Sequence, residues 1–387
     1  MTNRSEQAYL EALSRVVDPV LFHSFDELGT LRGLKIKRKV AHVTVAVPGP
    51  DYPAAGELRR RILDVFDESI EEIDLKMVDL TDSEREKLGE KLVGDSAIIP
   101  PSQEPAEGAG AHSGHAPTTE RPNPFVDRSS LTRVICISSG KGGVGKSSIT
   151  VNLAVALAQA GHTVGILDAD IYGFSIPRMI GVGYPPVVLG KTIIPPVAHG
   201  VRCISIGFFV EEDQAVAWRG PMLHRAIEQF LVDVHWGAPE FLLIDMPPGT
   251  GDIALSVAQQ LPRAEIYVVT TPQSSAERVA QRMGSLAKQM KIPVRGVIEN
   301  MSWFETPDGQ RFEPFGHGGG EALANSLGVT LLAQVPLVTR LREGADEGMP
   351  IVAMAPEGEI GLIFAKLAAD IAAASPTRIY RSELSVS

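Results

Sequence analysis

The chain has 387 residues, 44% of them apolar and 21% charged, the balance of a soluble globular protein with length enough for two domains. Its formal charge of −11 weighs against a nucleic acid or an anionic membrane as partner, because neither attracts a net acidic surface. Two cysteines exclude a disulfide framework, no apolar run approaches a membrane span, and Met1-Thr2-Asn3-Arg4-Ser5-Glu6 lacks the apolar core of a signal peptide, so the expected compartment is the cytoplasm.

Residues 1–93 read as a small α+β domain. Tyr9, Leu10, Leu13, Val16 and Val17 recur at helical spacing and predict a helix that ends at Asp18-Pro19, where proline removes a backbone donor. Val43, Val45 and Val47 alternate with His42, Thr44 and Ala46, the two-residue period of a half-buried strand, and Ile73, Leu75 and Met77 repeat it. Leu58, Ile62, Val65 and Phe66 mark a helix face between them, and Thr81 with Glu84 has the spacing of a capping box for a last helix to about Leu92. No catalytic constellation shows in this part of the sequence. Residues 94–128 follow as a disordered linker. Its prolines (Pro100, Pro101, Pro105, Pro117, Pro122, Pro124), spaced by Gly, Ser and Ala, leave too little apolar surface to bury. His112 and His115 lie in it without thiolates or helical phasing, and read as solvated rather than as a metal site.

Residues 129–375 alternate strand and helix, the pattern of an α/β fold with a doubly wound, mostly parallel sheet, and 376–387 form a tail. The first strand, 133–138, leads into Gly140-Lys141-Gly142-Gly143-Val144-Gly145-Lys146-Ser147, which fits the phosphate-binding pattern G-x-x-x-x-G-K-[ST]. Backbone N–H groups from Gly140 to Ser148 can wrap a polyphosphate, Lys146 supplies a charge for its outer oxygens, and the Ser147 hydroxyl suits Mg²⁺. The helix that follows, through Ser148 and Ile149, turns a positive dipole end toward the same anion. A nucleoside triphosphate is the expected ligand.

Further strands are expected at 164–167, 201–206, 241–244, 266–270, 294–298 and 331–335, and ligands of such sheets sit beyond the carboxyl ends. Two ends are acidic: Asp168-Ala169-Asp170-Ile171-Tyr172-Gly173 and Asp245-Met246-Pro247-Pro248-Gly249-Thr250-Gly251-Asp252. Asp245 is placed to hold Mg²⁺ with Ser147, and Gly249 to bring a backbone N–H to the γ-phosphate. Asp168 or Asp170 would orient or deprotonate the attacking water, with Asp170 preferred; a helix cap or turn is the other use of an Asp here.

Together with the doubled-lysine loop and the two acidic segments, Trp218-Arg219-Gly220-Pro221-Met222, Glu299-Asn300-Met301-Ser302 and Phe315-Gly316-His317-Gly318-Gly319-Gly320 resemble the Mrp/ApbC group. These are MinD-like ATPases with a deviant phosphate loop, regarded as carriers or scaffolds for iron–sulfur clusters. The resemblance covers about 131 to 374, and the first domain is similar to the small iron–sulfur-assembly domain often fused ahead of that fold. It implies ATP and Mg²⁺ as ligands, ATP hydrolysis, and a homodimer in which Lys141 reaches the opposite subunit's nucleotide. It also implies adenine recognition by the Asn300 amide, and iron–sulfur apoproteins or assembly factors as partners.

The chain departs from the group where members that bind a cluster carry Cys-x-x-Cys, after Glu-Asn-Met-Ser. Here the segment reads Trp303-Phe304-Glu305-Thr306-Pro307-Asp308-Gly309-Gln310-Arg311-Phe312, and the small domain's frequent Cys-Pro is Tyr52-Pro53. Cys136 and Cys203 lie on predicted strands and read as buried small hydrophobes, so an iron–sulfur cluster rests on the resemblance alone. His317 reads as part of a turn before a helix. Trp218 to Arg225 offers either a face for a partner or core packing for Trp218. The last helix, with Ile360, Ile363, Phe364, Leu367 and Ile371 on one face and Lys366 its only basic residue, reads as core packing rather than a membrane-surface helix. The preferred function is an ATPase that carries iron–sulfur clusters or assists their delivery through partners. A MinD/ParA-like positioning ATPase is the alternative, and a reductase of the nitrogenase-iron-protein type would need cysteines that the chain lacks.

Overall fold

The computed structural model describes residues 5–96, 122–127, 129–170, 173–209, 220–249, 252–273, 276–306 and 308–375. It divides into two units, Met1–Ile98 with Tyr184–Pro196, and Ile99–Gly183 with Val197–Ser387. His112, His115, Trp218, Arg219, Thr250, Gly251 and the tail lie outside the described residues.

In the first unit the valine-rich strand Val40–Val47 is central, antiparallel to Leu31–Lys37 and parallel to Glu72–Asp79. Val43 and Val45 face Leu13, Leu58, Ile62, Leu88 and Leu92, supplied by the helices Glu6–Ser14, Ala55–Leu63 and Asp82–Ser96. The Thr81 box forms: the Thr81 N–H donates to Glu84 at 2.9 Å and the Glu84 N–H to Thr81 Oγ1 at 3.3 Å. The first helix stops at Ser14, short of the predicted Asp18, and the Asp18 carboxylate shapes the turn that follows by accepting the N–H groups of Val20 and Leu21. Strand Leu31–Lys37 was not legible, since an irregularity between Leu31 and Gly33 breaks its alternation. The hairpin of Val187–Leu189 with Thr192–Ile194 adds Leu189 and Ile194 to the same core. Gly89 admits it, because a Cβ there would overlap the Leu189 carbonyl.

The second unit is built on an eight-stranded sheet in the order Thr330–Val335, Val294–Asn300, Glu265–Thr270, Arg133–Ser138, Phe241–Asp245, Val164–Asp168, Val201–Ser205, Val197–Ala198. All pairs are parallel except the last. The strands Phe241–Asp245, Val164–Asp168 and Glu265–Thr270 are buried along their whole length, as a sheet covered on both faces requires. Helices Lys146–Gln159 and Glu359–Ala373 cover one face with Ile149, Leu153, Leu157, Phe364, Leu367 and Ile371. The predicted apolar face of the last helix is therefore buried in the core. Within the stretch expected as linker, Phe125 is buried, and Arg263 donates to the carbonyls of Phe125 and Asp127 at 3.2 and 2.6 Å.

The register sets the site. Asp245 pairs with Ile137 on one side and Asp168 on the other, so both acidic ends stand level with the start of the phosphate loop. The connection after Arg133–Ser138 runs to Val164–Asp168 and the one after the adjacent Phe241–Asp245 runs the opposite way to Glu265–Thr270, which makes this pair the switch point where such sheets bind ligands.

Candidate nucleotide site

Between strand Arg133–Ser138 and helix Lys146–Gln159 the loop turns through Gly143 and Gly145, at φ +74° and +79°, a region that favours glycine. Lys146, at the first turn of the helix, is 7% exposed, and its Nζ lies 2.6 Å from Asp245 Oδ2 and 3.6 Å from Asp170 Oδ2. Ser147 Oγ donates to Asp245 Oδ2 at 2.6 Å, and Thr150 Oγ1 to Asp245 Oδ1 at 2.7 Å. One fully buried carboxylate thus gathers a cation and two hydroxyls from a single helix. Its hard oxygen atoms, with the Ser147 hydroxyl, suit Mg²⁺, which keeps several waters and takes few protein ligands.

A cavity of about 590 Å³ opens from this cluster. The loop from Gly142 to Ser148, Asp170, Pro248 and Asn300 line it, together with the apolar Met301, Pro336, Leu337, Val338 and Leu341. At the rim Asp346 lies 2.9 Å from Arg342 and 3.7 Å from Arg178. Asp170 faces the cavity. Asp168 sits behind it, accepting from Ser205 Oγ at 3.0 Å and from the Asp170 N–H at 3.2 Å. Burial first, and then the Asp245 charge, push the Asp168 carboxyl up to about 7.

Lys146, Ser147, Ser148, Asp245, Asp170 and the loop glycines Gly142, Gly143 and Gly145 converge as the sequence implied. Four other predicted residues make contacts within the chain that the sequence did not foreshadow. The Gly249 N–H, expected at the γ-phosphate, donates to the Ser139 carbonyl at 3.0 Å, because the left-handed turn at Gly249 brings it onto the first turn of the loop. Lys141 reaches Gln273 of its own chain. Gly140 lies behind the loop, where a Cβ would overlap Val279. Asn300 donates its amide to the Val144 carbonyl at 2.9 Å. Sequence reasoning missed Thr150, whose hydroxyl belongs to no recognised pattern, and the apolar lining of the cavity. Val335-Pro336 at a strand's carboxyl end was the available signal for the latter.

Two quoted motifs prove to be one junction. The Glu299 carboxylate accepts from Ser302 Oγ, Gln334 Nε2 and the Gly320 N–H at 2.9, 2.8 and 2.6 Å, joining Glu299-Asn300-Met301-Ser302 to the glycines that open helix Gly319–Leu327. Between them Phe304–Glu305 pairs with Arg311–Phe312, and the Arg311 guanidinium lies 4.9 Å from the Trp303 ring centre. His317 is exposed and 3.0 Å from Glu313. Cys136 and Cys203 are both fully buried on strands separated by two others. Burial raises the Cys136 thiol to about 12 and the Cys203 thiol well above its ordinary value.

A phosphate loop at the switch point of a parallel sheet, with lysine, serine and a strand-end aspartate in contact, defines a P-loop nucleoside-triphosphate-binding protein. Residues 130–372 match the ParA-type family described as NUBPL iron-transfer P-loop NTPase, and the chain belongs to that family. It is 43% identical over 367 residues, 92% of this chain and 90% of the other, to the iron–sulfur cluster carrier protein of Mycobacterium leprae. To the protein of the same description from Deinococcus radiodurans it is 37% identical, over 90% of each chain. Among solved structures it is similar to a nucleotide-binding protein from Archaeoglobus fulgidus in complex with ADP, at 34% identity and TM-score 0.51, over 59% of this chain and 90% of that one. The motif resemblance to the Mrp/ApbC group and the expected doubly wound, mostly parallel α/β fold both hold.

Proposed function

We propose that the chain hydrolyses ATP with Mg²⁺ and couples the cycle to iron–sulfur protein maturation. The observation that carries this reading is the contact of Lys146, Ser147 and Asp245 beside Asp170 at the wall of the cavity. Lys146 neutralises the outer phosphate oxygens, and Ser147 with Asp245 holds Mg²⁺, which supplies further charge neutralisation there. Asp170 orients the attacking water. Asp168 fixes the Asp170 backbone from behind. The nucleoside lies toward Met301 and Pro336, and two copies close around ATP with Lys141 released from Gln273 to reach across.

The relatives named iron–sulfur cluster carriers make the cluster the cargo. A cluster takes four ligands, and a symmetric dimer would draw two from each chain. The two thiols here are buried, protonated and on separate strands. The chain therefore acts on cargo held by partners that bring their own ligands, apoprotein clients or assembly factors.

Phosphate release from Mg-ATP, followed for wild type and Asp170→Asn, tests the catalytic half. Turnover should fall at least a hundredfold in the variant with nucleotide still bound, the usual worth of a positioned base; wild-type turnover would remove Asp170 from that role. Anaerobic reconstitution with iron and sulfide tests the cargo half. Well under one cluster per dimer is expected, and a stoichiometric cluster that vanishes in Cys203→Ala would contradict it.

A further inference from the structure

Asn300 ends strand Val294–Asn300, is 2% exposed, and spends one amide hydrogen on the Val144 carbonyl at 2.9 Å. Val144, itself buried, is followed by Gly145 at φ +79°, and a Cβ on Gly145 would overlap Asn300 Nδ2. The carboxamide thus lies against loop backbone where only glycine leaves room.

The anchor is stiff. On one side Glu299 is 1% exposed and held by three hydrogen bonds, from Ser302, Gln334 and Gly320. On the other, Met301 turns the chain at φ +59°, a left-handed conformation that a non-glycine residue holds only when its surroundings impose it. The Ser302 N–H then donates to the Val335 carbonyl at 3.0 Å. A loop that turns N–H groups inward must turn carbonyls elsewhere, and a buried carbonyl needs a donor.

We propose that Asn300 is a positioning residue of the phosphate loop. Its amide holds the Val144 carbonyl, so that the loop's N–H groups converge on the anion before any nucleotide arrives. This rests on the nucleotide reading above, and it assigns the amide to the phosphates rather than to the base.

The test compares Mg-tripolyphosphate, which has no base, with Mg-ATP and Mg-GTP on wild type, Asn300→Ala and the isosteric Asn300→Asp, each checked for folding by circular dichroism. Asn300→Ala should weaken tripolyphosphate and ATP by the same factor, on the order of tenfold for one lost buried hydrogen bond. Asn300→Asp, which sets a carboxylate against the carbonyl, should weaken both more, and the small uncharged Asn300→Ser keeps the comparison available if the aspartate variant does not fold. The preference between ATP and GTP should stay as in wild type. Tripolyphosphate affinity unchanged in either folded variant, with ATP weakened and the ATP/GTP preference relaxed, would overturn the inference and make Asn300 a base reader. A wild type that binds neither ligand would instead overturn the nucleotide reading itself.

Discussion

Each unit buries an aspartate, and the two do different work. Asp18 accepts the N–H groups of Val20 and Leu21, both at 2.9 Å, and the Tyr52 hydroxyl. Asp245 accepts Lys146 Nζ, Ser147 Oγ and Thr150 Oγ1 at 2.6, 2.6 and 2.7 Å. Main-chain donors and a phenol cannot leave without unfolding the turn, and burial followed by the Asp18 charge keeps the Tyr52 hydroxyl protonated as a donor. A lysine and a serine hydroxyl beside a cavity can swing to a ligand. The donors, more than burial or charge, separate a carboxylate that shapes a turn from one that serves a site.

The largest expected effect comes from Lys146→Ala, which strands Asp245 and Asp170 without their cation. The ligand-free protein should lose about 3–5 kcal/mol, the cost of breaking a buried ion pair from one side. The stabilisation by Mg-ATP, about 2.7 kcal/mol at a hundred times its dissociation constant, should vanish with it. Thermal melts with and without nucleotide read both. Tyr52→Phe should cost the first unit about 1.5–3 kcal/mol, the worth of a hydrogen bond to a charged group, and leave Mg-ATP affinity untouched; a loss of affinity would blur the contrast between the two aspartates. Thr150→Val frees one Asp245 oxygen, so the Mg²⁺ concentration needed for half-maximal nucleotide binding should rise about threefold to tenfold, for a lost bond of about 1 kcal/mol, and fall back in Thr150→Ser. A pH slope from Asp168 completes the series. Its folded carboxyl is raised to about 7, against about 3.9 in an unfolded chain. The stability it contributes is full below about pH 3.9 and is lost as pH rises through about 7. Ligand-free wild type should lose stability against Asp168→Asn across that window, and parallel melting curves would show that Asp168 is not so buried in charge.

The sheet was readable because its strands carry unalternated apolar runs such as Val134-Ile135-Cys136-Ile137 and Leu242-Leu243-Ile244, and the phosphate loop because its backbone demands glycine at fixed spacing. The Asp245 cluster followed from position in the sheet. Thr150 was hidden because a buried threonine in a helix looks like any other. Asn300 was visible only as part of a motif, and its contact with Val144 joins residues 156 apart in the chain. Leu31–Lys37 escaped through its irregular register, and the hairpin at Val187 to Ile194 because three-residue strands carry no period.

Calorimetric titration of ATP, with and without Mg²⁺, into wild type, Asp245→Asn and Asp18→Asn tests the central contrast most directly. Asp18→Asn should bind with the full Mg²⁺ enhancement of wild type, whereas Asp245→Asn should bind alike with and without Mg²⁺. An enhancement that survives in Asp245→Asn, or disappears in a folded Asp18→Asn protein, would contradict the account.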